Sequence, residues 1–262
     1  MLRPRIIPCL LVHKKGLVKT VAFAAPKYVG DPVNAVRIFN EKEVDELIVL
    51  DIDATVTGAE PDYAMIRNLA TECRMPLAYG GGIRSLEQAV RIIKMGVEKI
   101  ALSSVLVENE ALVSEIARHI GSQSVVGVLD VRRDARTGRY EVWTHNAARN
   151  TRLDPAEFAA RLESLGVGEI TLNSIDRDGS MRGYDLDLVR RVRAAVTVPM
   201  TVLGGAGSLE DISGLLREFG IIGAAAGSLF VFKGVYRAVL INYPGREQKL
   251  AIIGAGRQGV VT

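Results

Sequence analysis

Four acids stand where apolar runs end: Asp51 after "ELIVL", Asp130 after "VVGVL", and Asp176 and Asp178 after "EITLNS". If those runs are strands of one sheet, the carboxylates gather at its carboxyl edge. There they can pass protons to and from a bound molecule. Asp130 is the foremost candidate for that work, because it closes an uninterrupted apolar run and must stand at the mouth. Asp51 and Asp176 would serve equally well as caps of the loops that follow them. The first run, "RIIPCLL", closes on Leu11, which has no proton to give.

Two glycine clusters, "YGGGI" (Gly80–Gly82) and "LGGAG" (Gly204–Gly207), each follow an apolar run and precede a helical segment. Bare backbone amides and the positive end of the next helix suit phosphate. One run further on, each cluster is joined by small residues. Gly81 and Gly82 gain Ser103 and Ser104; Gly204 and Gly205 gain Gly227 and Ser228, with Gly179 on the same side. That pairing predicts two phosphate grips facing each other across a mouth; two tight turns are the alternative. Lys19 is either a further anion contact or a solvated lysine. At the opposite ends of the runs stand Arg5, Glu46, Lys99 and Glu169, a ring of two cations and two anions whose plainest role is mutual pairing. His13, His119 and His145 share no ligand spacing, and Cys9 and Cys73 form no metal or redox pair, so neither metal nor cofactor is expected.

The elements that would hold these residues recur. Eight apolar runs, from "RIIPCLL" to "GAAAGS", alternate with amphipathic segments, and they lack the polar alternation of half-exposed strands. Ser85 and Gln88 read as a capping box, Gly96 as a helix stop, and Asp154-Pro155 as a cap followed by a first helical residue. Eight strand–helix units predict an α/β protein, a (β/α)8 TIM barrel over residues 1–245; a doubly wound open sheet is the runner-up. The chain also divides into halves. Asp51 maps onto Asp176, Ser85 onto Ser208 and Ser104 onto Ser228 at nearly constant spacing, which predicts two fused half-barrels. On that pairing Leu11 stands opposite Asp130. "RDARTGRYEVWTH" predicts a hairpin turning at Thr137-Gly138, and Val12 to Asp31 an oversized loop on the active face.

A formal net charge of +3 is too weak to argue for nucleic acid or an anionic membrane. The apolar run near the start is short, holds a proline and ends in His13-Lys14-Lys15, unlike a secretory signal. No run reaches the roughly 18 residues needed to span a bilayer. Two unpaired cysteines fit a reducing, cytoplasmic setting. Residues 246–262 stand apart. "KLAIIGAGRQGVVT" reads as a strand followed by Gly254, Gly256 and Gly259 in dinucleotide-fold spacing, resembling the start of a sugar acyltransferase that is then cut off. It is expected to be an appendage rather than a domain.

The segments "RIIPCL", "GDPV", "DELIVLDIDA", "YGGGIRSLEQA", "EVWTH", "NSIDRDGSMRGYDLDL" and "GGAGSLED" resemble the cyclase subunit of imidazole glycerol phosphate synthase, over about residues 1–245. The resemblance implies a glutaminase subunit docked on the amino-terminal face of the barrel. Ammonia would rise through a gate made by Arg5, Glu46, Lys99 and Glu169 to a ligand held by two phosphates. It also implies an acid–base pair of aspartates, and here the chain departs: Asp130 matches one, and the other position is Leu11. With "CLLVHKKGLVKT", the departure resembles a paralogue group linked to acetamidino sugars of surface polysaccharides. There the barrel feeds ammonia to an ATP-using sugar amidotransferase. A working histidine-pathway cyclase and a scaffold that conducts nothing are the other readings.

Overall fold

The computed structural model describes residues 3–258. The strands of its main sheet, in chain order, are β1 (Arg5–His13), β2 (Gly16–Val21), β3 (Ala24–Gly30), β4 (Leu47–Asp51), β5 (Leu77–Gly80) and β6 (Lys99–Leu102). They continue with β7 (Val125–Arg133), β8 (Tyr140–Thr144), β9 (Arg149–Asn150), β10 (Glu169–Ser174), β11 (Met200–Leu203) and β12 (Gly223–Ala226). Among the described residues, eight of these run parallel in the order β1-β4-β5-β6-β7-β10-β11-β12, and β12 pairs back onto β1. The sheet is therefore closed, and the open-sheet alternative is excluded. Each of the eight apolar runs supplies one barrel strand.

Alternation along each strand divides its side chains between two cores. On β1, Ile6, Leu10 and Val12 face the helices, while Ile7, Cys9 and Leu11 face the barrel axis. The axial clusters are small. One gathers Ile7, Cys9, Ile48, Ala78, Leu203 and Ala225 with Leu11 and Leu50 against it; the other gathers Ala101, Val126 and Val128. Alanines at three of these positions narrow the packing along the axis without filling it as leucines would.

The helices begin where their sequence caps direct. Asp154 accepts from Ala156 N and Glu157 N, with Pro155 in the first turn. Ser208 and Asp211 complete a reciprocal capping box. Ser85 makes only half of one: its hydroxyl accepts from Gln88 N at 3.2 Å, but Gln88 Oε1 accepts from Arg84 N at 2.7 Å instead of from Ser85 N.

Three expectations change. β1 does not leave the sheet at Leu11 but continues to His13 and folds back, so the "loop" from Val12 to Asp31 is largely the β2–β3 hairpin. Lys14 and Lys15, both with positive φ, make the two-residue turn from β1 into β2, and Ala22 and Phe23, also with positive φ, the turn from β2 into β3. Lys19, on β2, is buried rather than solvated. The residues read as a strand after the barrel, "KLAII", lie in a helix, Arg246–Gln258. Ile252 is buried, and Lys249 reaches Asp45 Oδ1 at 3.1 Å. Burial of Ile252 and the Lys249 contact fit a helix laid on the barrel wall, and that packing outweighs the β-branched pair Ile252-Ile253. Gly259, the last glycine of the supposed fingerprint, lies outside the described residues. The hairpin after the fifth barrel strand forms as expected, with Arg133 opposite Tyr140 and Gly138 in its turn at φ +69.

Candidate active site and barrel floor

The carboxyl ends of the barrel strands surround a cavity of about 1320 Å³ of empty space, counted out to its open mouth. The nine glycines and serines assigned to the two phosphate grips line it. Gly81, Gly82, Ser103 and Ser104 form one side, and Gly179, Gly204, Gly205, Gly227 and Ser228 the other. The glycines are required sterically. A Cβ on Gly205 would stand 2.2 Å from the Gly183 carbonyl oxygen, and one on Gly81 2.6 Å from that of Asp51; both have positive φ. The short helices that begin at Ser104 and Ser228 have no side-chain cap, so their first amides are left to face the cavity.

Asp130 and Leu11 both line the mouth, from the ends of β7 and β1. Asp130 is half-buried and accepts from Asn173 Nδ2 at 2.9 Å. Burial pushes its pKa up to about 7, with Asp178 adding to the rise and hydrogen bonds from Asn173 and Ser103 opposing it. A carboxyl poised there can exchange protons near neutrality. Leu11 packs on the apolar axial cluster.

The other acids divide as their positions suggested. Asp51 accepts from Asp53 N at 2.9 Å and Ala54 N at 3.2 Å, capping its loop, though burial still raises its pKa. Asp176 is exposed and holds Arg133 N at 2.8 Å. Asp178 lines the cavity and ties down the β2–β3 hairpin, accepting from Thr20 Oγ1 at 2.7 Å and Phe23 N at 3.2 Å.

Lys19 also enters the cavity. Its Nζ donates to the Cys9 carbonyl at 2.7 Å, and burial lowers its pKa while Cys9 and Asp178 partly restore it. Burial drives the Cys9 thiol up to about 12, so it is no nucleophile at neutral pH. Among the polar residues of the cavity, Asn173 and His145 were not assigned to a site from the sequence. Asn173 was discoverable, since it shares inward parity with Glu169 on β10. His145 sits just past the β8 strand end, with positive φ, and no sequence pattern marks it.

At the other end of the axis the four predicted charges meet. Arg5 pairs with Glu46 through Nη1 and with Glu169 at 2.7 Å through Nη2; Lys99 Nζ lies 2.8 Å from both Glu46 and Glu169. Thr201 donates to Glu169 at 2.6 Å. The ring closes the barrel floor. Burial alone would raise the pKa of Glu169, but Arg5 and Lys99 outweigh it and hold the pKa below its usual value. The guanidinium of Arg5 shows the converse: burial lowers its pKa, and the two carboxylates reverse the effect.

Among the described residues no helix is long and apolar enough to cross a membrane, and no group of three or more His, Cys, Asp or Glu could hold a metal ion.

Residues 5–237 match the family model of the histidine biosynthesis proteins. A Leptospira interrogans protein provisionally named imidazole glycerol phosphate synthase subunit HisF is 57% identical over 96% of this chain and 99% of its own length. One from Pseudomonas aeruginosa, provisionally named subunit hisF2, is 52% identical over 93% of this chain and 97% of its own. The imidazole glycerol phosphate synthase subunit HisF of Alkaliphilus metalliredigens is 40% identical over 90% and 93%. A closed eight-stranded barrel with these relatives along nearly its full length belongs to the histidine biosynthesis protein family, as a HisF-like subunit of the imidazole glycerol phosphate synthase type.

Proposed function

We propose that this barrel conducts ammonia rather than closing an imidazole ring. In this reading a glutaminase subunit docks on the amino-terminal face and releases ammonia beneath the ring of Arg5, Glu46, Lys99 and Glu169. The ammonia rises along the apolar axis to the mouth. There it passes to an ATP-using amidotransferase that converts a sugar N-acetyl group to an acetamidino group for surface polysaccharide, in the cytoplasm. A phosphorylated small molecule occupies the glycine-lined grips. The observation that carries the reading is Leu11 at the mouth across from Asp130, above an intact charged floor. Ring closure needs two proton-handling groups, and loss of one costs orders of magnitude in rate.

The test is the purified barrel with its glutaminase, given glutamine and the nucleotide-derived substrate of the cyclase reaction. Glutamine-dependent ammonia without imidazole glycerol phosphate is expected. Robust ring closure defeats the proposal.

One observation favours a second reading, an active histidine-pathway cyclase. The buried Lys19 amine, its pKa lowered, lies in the same cavity and could take over the missing proton transfer. Complementation of a strain lacking the cyclase subunit, abolished by Lys19→Met, would establish that reading in place of the first.

A further inference from the structure

Asn173 has one end of its amide committed and the other open. It is 5% exposed and projects inward from β10. Its Nδ2 is taken by Asp130. Its Oδ1 is buried and, among the described residues, meets no hydrogen-bond donor. A buried acceptor left open costs about 1–3 kcal/mol, so such an atom calls for a partner. Asn173 lines the cavity, and its oxygen lies beside Gly204, 3.1 Å from where a Cβ there would stand. Leu203, paired with Asn173 across the sheet, and the other side chains of the apolar axial clusters offer no donor.

The position is the top of a polar track. Glu169, Thr171 and Asn173 share the inward face of β10, about 7 Å apart. The remaining axial positions are mostly apolar. β10, which starts at the charged floor, therefore ends at an unfilled acceptor beside a carboxyl group.

We propose that Asn173 Oδ1 and Asp130 form a receiving site for ammonia or ammonium at the upper end of the barrel axis. Asn173 accepts one N–H. Asp130 accepts a second from ammonium when ionised, or donates its proton to the ammonia lone pair when protonated; that transfer leaves carboxylate and ammonium, paired. Asn173 thereby does two things, orienting Asp130 through its N–H and presenting the arriving nitrogen through its oxygen. The inference rests on the proposed conduction of ammonia, but its test needs no glutaminase.

The experiment is a ¹³C-carboxyl NMR titration of the whole chain with ammonium chloride, against potassium chloride at equal ionic strength. The Asp130 resonance is identified by its loss in Asp130→Asn. Charged or titratable groups facing the same cavity (Lys19, Cys9, Asp51, Arg84, Asp178, His145 and Glu108) are common to every arm. Ammonium should shift the Asp130 signal saturably and lower its titration midpoint; potassium should do neither. Asn173→Leu should weaken the saturable shift at least tenfold. Asn173→Thr, whose hydroxyl can both donate to Asp130 and accept, should recover part of it. No saturable shift in the unaltered protein, or an unchanged one in Asn173→Leu, overturns the site. A barrel that binds ammonium here yet passes none on from glutamine refutes conduction and keeps the site; the reverse result does the opposite.

Discussion

Asp130 shows how one side chain's setting decides what it can do. Its folded pKa, about 7, lies above the 3.8 of an unperturbed aspartate, so the native state holds a proton that the unfolded chain has lost between those values. The stability tied to that proton is complete below pH 3.8 and disappears as pH rises through about 7. Asp130→Asn removes the cost of ionisation and keeps an acceptor for Asn173 Nδ2. It should stabilise the protein by roughly 1–4 kcal/mol above about pH 8 and leave it unchanged at acid pH. Urea unfolding midpoints across the pH range check both limbs. A variant equally stabilised at every pH would mean that packing, not the proton, is responsible. The position of Asp130 was legible in the sequence because an acid ending a long apolar run has one place to go. The commitment of Lys19 to the Cys9 carbonyl was not, because the burial of a lysine depends on which way a hairpin folds.

At the scale of elements, the sequence was most informative where a local rule acts alone. Asp154 and Ser208 cap as their spacing requires, and Gly138 turns its hairpin. It was least informative at "KLAIIGAGRQ". Two glycines and a β-branched pair spoke for a strand and turn, whereas contact with the barrel wall selects a helix. Ile252 is buried and Lys249 bonds both Asp45 Oδ1 and the Glu43 carbonyl. Asp45 in turn accepts from Ile6 N, which ties this helix to the start of β1. If that packing is what holds the helix, Ile252→Ala should cost about 2 kcal/mol and Lys249→Ala about 1 kcal/mol in denaturant unfolding. Amide exchange in residues 246–254 should rise in both variants. An unaffected midpoint would show the helix to be a passive appendage.

For the whole molecule, the closed sheet turns two sets of distant residues into a floor and a mouth on one axis. Arg5, Glu46, Lys99 and Glu169 are spread over most of the chain and meet only because the barrel closes; their place at strand openings made the ring and its mutual pairing predictable, but not which cation reaches which carboxylate. Lys99→Ala leaves Glu46 and Glu169 sharing Arg5 alone and should destabilise by about 3 kcal/mol. The pH dependence has a definite sign. The pKa of Glu169 is depressed from 4.5, so its ionised form contributes stability above that value and loses it as pH falls through the folded pKa. With Lys99 gone the depression shrinks, and acid unfolding should begin at a higher pH. The proposal that floor and mouth have separate fates, one kept and one altered, is tested most directly by tracing nitrogen from [amide-¹⁵N]glutamine through the barrel–glutaminase complex supplied with cyclase substrate. The label is expected in free ammonium, with the cyclase substrate recovered unchanged. Label in imidazole glycerol phosphate at the rate of glutamine consumption would contradict the account.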